Sequence, residues 1–111
     1  MTPSARGGLK SRQKGKRGER EIVRLARACG LEAQRTWQTA QAGDPAARGC
    51  DIIIAGRRAQ VKLARRGFER LYRALDGVAF AFLRQDRKAW LAVLEASTLL
   101  ALLRAEAEVL P

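Results

Sequence analysis

The stretch GCDIIIAGRRAQVKLARR, residues 49–66, sets Asp51, Gln60 and Lys62 among apolar and basic neighbours. An acid, an amide and a lysine brought together can ligate a hard divalent cation and hold an ammonium beside it, which is the equipment for metal-assisted hydrolysis of a phosphodiester. Side chains on a strand alternate faces, so Asp51 shares one with Ile53, and Gln60 shares one with Lys62. A two-residue turn at Gly56 and Arg57, with glycine first as a type II′ turn prefers, predicts Asp51 opposite Lys62 and Ile53 opposite Gln60. All three polar groups then share one surface, whereas an odd-length loop moves Asp51 to the other face. In the plainest reading they form a cross-strand ion pair in solvent, contributing about 0–1 kcal/mol.

Glu19 adds a second carboxylate. On a helical wheel with Ile22 at zero it falls at roughly 60°, bordering the apolar stripe and off the face of Arg20, Arg24 and Arg27. A carboxylate there is costly unless a cation or hydrogen bonds compensate it. Glu21 has Arg17 and Arg24 as helical neighbours and reads as an ordinary solvated charge.

The elements that must position these groups follow from periodicity. Residues 1–15 are rich in glycine, serine and basic residues and read as a flexible basic arm. From Lys16 to Ala28 the spacing of Ile22, Leu25, Ala26 and Cys29 predicts a helix stopped by Gly30. Strands follow at Leu31–Trp37, Cys50–Ile54 and Ala59–Leu63, with a loop over Gln38–Gly49. Phe68, Leu71, Tyr72 and Leu75 predict a second helix ended by Gly77. Val78–Arg84 and Ala89–Leu94 predict two strands, and Ser97 or Thr98 could cap a last helix running to about Arg104. The order is α-β-β-β-α-β-β-α, an α/β fold with helices packed on a central mixed sheet, in a single domain over 16–111.

The 111 residues carry 22 Lys and Arg against 11 Asp and Glu, a formal charge of +11. That field favours a polyanion, nucleic acid before membrane. There is no histidine, which excludes catalysis by an imidazole base, and Cys29 and Cys50 lack metal-binding spacing and read as buried thiols in a reducing compartment. No apolar run reaches the roughly 18–20 residues of a membrane span, so the sequence predicts a soluble, cytoplasmic protein.

The residues resemble the PD-(D/E)XK nuclease superfamily, and most closely the archaeal-type Holliday junction resolvases, including their bacteriophage-borne relatives. KGKRGEREIVRLARACG is similar to the family's first helix and selects Glu19. CDIII resembles the strand bearing the metal-binding aspartate and selects Asp51, and AQVK resembles the (D/E)XK strand and selects Gln60 and Lys62. Arg35–Gly49 resembles a loop carrying hydroxyl residues near the DNA backbone, with Thr39 in that place. The resemblance implies a restriction-endonuclease-like core and a Mg²⁺-dependent endodeoxyribonuclease. Asp51, Gln60, the Val61 carbonyl and Glu19 would serve at the metal, and Lys62 would orient water or stabilise charge on the scissile phosphate. Gln60 departs from the usual acid, and one negative charge fewer implies weaker Mg²⁺ binding with Mn²⁺ as a substitute.

For DNA contact the sequence offers Lys10, Arg12, Lys14, Lys16 and Arg17 in and beside the arm, and Arg57, Arg58, Arg65 and Arg66 around the hairpin, all suited to phosphates. Trp37, Trp90 and Tyr72 read as core. Phe80, Phe82 and the apolar late segment exceed what so short a chain buries, and a homodimer would cover them and present two sites to a four-way junction. No small-molecule cofactor or membrane partner is expected. Three readings remain beside this one: a nuclease cutting another branched or nicked DNA, a noncatalytic DNA-binding protein with a decayed site, and a basic RNA-binding or assembly protein.

Overall fold

The computed structural model describes residues 3–36 and 51–109. The chain divides into two compact units, Met1–Leu63 and Ala64–Pro111. The sequence reading takes 16–111 as one domain. The elements come in the order α-β-β-β-α-β-β-α. Among the described residues they form a small α/β structure with three helices and two sheets, and every strand pair in them is antiparallel. The single mixed sheet expected from the sequence is therefore not what these strands build. Each sheet lies within its own unit, and each of its strands pairs antiparallel with a neighbour in sequence.

In the first unit α1 (Pro3–Ala28) is followed by β1 (Ala33–Arg35), β2 (Ile52–Ile54) and β3 (Arg57–Ala59), arranged in the order β1-β2-β3. The helix begins at Pro3, upstream of the Lys16 start that periodicity gives, and so takes in most of the basic N-terminal segment. Its buried stripe also differs from the expected one. Gly18, Val23 and Ala26 are buried and Ile22 half-buried, while Leu25 and Cys29 are exposed. The reason is close approach: a Cβ at Gly18 would lie 3.0 Å from Val61 Cγ1, so α1 offers its smallest residues to the neighbouring chain. Cys29 is thus a free, exposed thiol rather than a buried one.

The C-terminus of α1 is closed by a Schellman motif. Gly30 (φ 82°) takes the left-handed position, its N–H donates to the Arg27 carbonyl at 2.9 Å, and the Leu31 N–H donates to the Ala26 carbonyl at 3.0 Å. Arg27 Nε then donates to the Ala33 carbonyl at 2.9 Å, fixing the entry to β1. Ala33 and Arg35 face inward from β1, and Ile52 and Ile54 from β2, against α1.

The hairpin turn lies at Ala55 and Gly56, one residue upstream of the expected pair, with φ of 49° and 80°. Positive φ at both central residues is the type I′ geometry, whose twist matches the flanking strands. Ala55 in this region costs roughly 1–2 kcal/mol, offset by its N–H donating to the Glu32 carbonyl at 2.8 Å. The register is Ile52↔Ala59, Ile53↔Arg58 and Ile54↔Arg57. Pairing ends at Ala59, so Asp51 does not face Lys62 across a ladder as the sequence predicts.

The second unit consists of α2 (Glu69–Ala74), β4 (Phe80–Leu83), β5 (Leu91–Leu94) and α3 (Ala96–Val109). The expected core role of Tyr72 and Trp90 is not met, since they are 76% and 64% exposed. A six-residue helix burying none of its side chains and a two-stranded ribbon offer too little cover for either ring. α3 starts at Ala96, where the Glu95 carbonyl accepts from Thr98 and Leu99 N–H at 3.1 and 3.2 Å, so Ser97 and Thr98 lie inside its first turn rather than capping it. It runs past Arg104 to Val109. Among the described residues no helix is long and apolar enough to cross a membrane.

Candidate functional site

Asp51 precedes β2 at a bend, and its backbone is held from both sides. Its N–H donates to the Ala59 carbonyl at 2.9 Å, and its carbonyl accepts from the Thr36 N–H at 3.1 Å and from Thr36 Oγ1 at 3.3 Å. The side chain then reaches across: Asp51 Oδ2 accepts the Val61 N–H at 2.8 Å. That bond sets a half-buried carboxylate against the peptide joining Gln60 to Val61. Gln60 and Lys62 are exposed on either side of the half-buried Val61.

The turn is two residues long, as the sequence predicts, so the shift in its position leaves strand parity unchanged. Within the ladder Ile53 and Arg58 share one face, and Asp51 and Gln60 lie just beyond its last pair. Ile52, Ile54 and Ala59 take the other, the side on which α1 packs.

Glu19 belongs to that second side. Its Oε1 accepts from Arg35 Nε at 3.0 Å, with side-chain exposures of 17% and 8%. The compensation that a carboxylate on this face demands therefore comes from a strand arginine. Val61 joins the two regions: its N–H holds Asp51, and its side chain lies against Gly18, the residue before Glu19.

Arg35 and Thr36 are site residues that the sequence reading missed. The available signal was a charged residue two positions from Ala33 in a segment expected to be a strand, which places Arg35 on the inward face beside an unpaired glutamate.

Of the remaining candidates, Lys16 and Arg17 are exposed on α1, and Arg57 and Arg58 are exposed on β3. Arg65 and Arg66 are exposed at the start of the second unit. Lys10, Arg12 and Lys14 lie along the backbone of α1, with side chains outside the described residues. Thr39, Trp37 and Cys50 also lie outside them.

Among the described residues no group of three His, Cys, Asp or Glu side chains forms that could hold a metal. Asp51 is the carboxylate that the structure sets against the Gln60–Val61 peptide. Mg²⁺ keeps several of its waters and binds through one or two carboxylates, so a cation there would rest chiefly on Asp51 and water. With Oδ2 given to Val61 N–H, Asp51 Oδ1 is the atom left to ligate. The chain matches no family model, no curated protein and no solved structure.

Proposed function

We propose that the chain is a metal-dependent, structure-selective endodeoxyribonuclease with a restriction-endonuclease-like core, acting on four-way DNA junctions. The observation that carries this reading is the bond from Val61 N–H to Asp51 Oδ2, which sets an acid against the Gln60-Val61-Lys62 segment. Asp51, Gln60 and the Val61 carbonyl would hold Mg²⁺ or Mn²⁺, with Glu19 as a candidate ligand for a bound water. The bound cation would polarise the phosphodiester and acidify a water molecule. Lys62, exposed beside this peptide, would place its ammonium where charge grows on the scissile phosphate.

Lys16, Arg17, Arg57, Arg58, Arg65 and Arg66 would neutralise backbone phosphates without reading sequence, together with Lys10, Arg12 and Lys14, and the Thr39 hydroxyl would donate a hydrogen bond to one. Paired incisions require two copies, and Leu71, Leu99 and Leu102, exposed on α2 and α3, leave apolar surface for a homodimer.

A second reading is favoured by the hydrogen bonds themselves: Asp51 is bound to Val61 N–H and Glu19 to Arg35, and Gln60 stands where the resemblance to the nuclease superfamily would place an acid. It is a DNA-binding protein without catalysis.

One experiment decides between them. Wild type and Asp51→Asn are incubated with a four-way junction and with a linear duplex of matching arm sequence, in Mg²⁺ or Mn²⁺. Nuclease action gives symmetric cuts in the junction alone, slowed at least about a hundredfold in Asp51→Asn. Junction binding without cutting in either metal leaves the second reading.

A further inference from the structure

The register Phe80↔Leu94, Ala81↔Val93, Phe82↔Ala92, Leu83↔Leu91 sorts the ribbon of the second unit into two faces. Phe80, Phe82, Ala92 and Leu94 share one of them. Continuing the ladder by one step beyond each strand adds Arg84 opposite Trp90, and the Arg84 guanidinium does lie 5.3 Å from the centre of the Trp90 ring. This face is apolar and open: Phe80 is 48%, Phe82 66% and Trp90 64% exposed. Only the small Ala92 stands across from Phe82, between Trp90 and Leu94 along β5. At the tip of the ribbon Arg84, Arg87 and Lys88 are exposed with a single acid, Asp86.

We infer that this face binds single-stranded DNA, its rings stacking on unpaired bases while Arg84, Arg87 and Lys88 meet the phosphates. Exposed aromatics beside cations are the combination that holds single strands without sequence preference, and the Arg84–Trp90 contact presents a ring backed by a positive charge. Charge decides the occupant. A second copy laid on the same face about a twofold axis along the strands brings Arg84, Arg87 and Lys88 of both chains together, which like-charge repulsion opposes. A phosphate backbone supplies the opposite sign. The inference does not rest on the proposed metal site, and it holds for a chain that never cleaves.

The test uses the full chain and an oligodeoxythymidylate of about eight nucleotides. Trp90→Ala and Phe82→Ala each lower affinity about tenfold, and Trp90→Phe loses much less, whereas binding to a blunt duplex changes less than about twofold. Photocrosslinking of wild type to the same oligomer carrying 5-bromodeoxyuridine places adducts on Phe80, Phe82 or Trp90, a readout that needs no variant to fold. Wild-type affinity in both alanine variants, or adducts confined to other segments, overturns the inference. So does tighter binding to oligouridylate, or a wild-type dimer that Trp90→Ala dissociates in sedimentation.

Discussion

The described part of residues 1–63 closes over Val23, Ala26, Leu31, Ala33, Ile52 and Ile54, whereas the described part of residues 64–111 buries Leu100 and leaves Tyr72, Phe80, Phe82, Trp90 and Leu91 exposed. The two units differ in their apolar residues: isoleucine is confined to the first, whereas all three phenylalanines and the tyrosine lie in the second. In the first, a helix with small residues on its inner face lies close against the sheet, so Ile52 loses nearly all contact with water and the backbone at Asp51 is fixed. In the second, a short helix and a ribbon cannot enclose large rings. Precision in a candidate site needs the first arrangement; adaptable contact with a flexible partner suits the second.

The comparison breaks most sharply by truncating one large apolar side chain in each unit. Ile52 is 1% exposed and Phe82 66%. Ile52→Ala is expected to cost about 4 kcal/mol, through lost burial and the cavity left behind. Phe82→Ala is expected to cost less than about 0.5 kcal/mol, as surface substitutions do. Urea unfolding of both variants measures this. Equal losses would mean that the aromatic face is a covered core, and the contrast between the units would fall with it.

A smaller effect sharpens the account of the first unit. Arg35→Met removes the cation from a half-buried Glu19 and should cost about 2–3 kcal/mol, less than a fully buried pair because Glu19 keeps some contact with water. Adding Glu19→Gln to Arg35→Met should recover more than half of that loss, since the uncompensated charge is gone. A double mutant no more stable than Arg35→Met would show that the arginine matters for packing alone.

The sequence made some of this legible and withheld the rest for local reasons. Element order followed from apolar spacing, and the helical wheel placed Glu19 beside the buried stripe, where the structure has it. Its partner did not emerge, because β1 has three residues and so short a strand carries almost no periodicity. The hairpin turn was misplaced by one residue because Gly56 suits either the first position of one primed turn or the second position of the other. The choice falls to the bond between Ala55 and Glu32, a contact distant in sequence. Trp90 was misread because both faces of its ribbon are apolar, as in Phe80-Ala81-Phe82-Leu83, so alternation could not say which face is open. The arrangement of the candidate trio did not follow from strand pairing: Asp51 reaches the Gln60–Val61 peptide by a side-chain bond that no register rule anticipates.

The smallest effect concerns how the second unit holds its short helix. No side chain caps α2 from Phe68; instead Glu69 turns back, and Gly67 N–H donates to Oε1 and Oε2 at 3.1 and 3.0 Å. Gly67 takes φ +113°, which other residues rarely adopt, so the loop that allows this contact depends on glycine. Glu69's own N–H and that of Gly67 hold its carboxyl below the ordinary 4.5. A depressed folded value means that the contribution is fully present above the unfolded value and is lost as pH falls through the folded one. Because Glu69 is fully exposed, water screens the charge, and the consequence is local loosening of the first turn rather than unfolding. The Gly67 amide resonance should therefore titrate with a midpoint below 4.5 and lose that titration in Glu69→Gln. A midpoint at or above that value would remove the contact from solution and leave α2 without an N-terminal anchor, widening the contrast with the well-capped helix of the first unit.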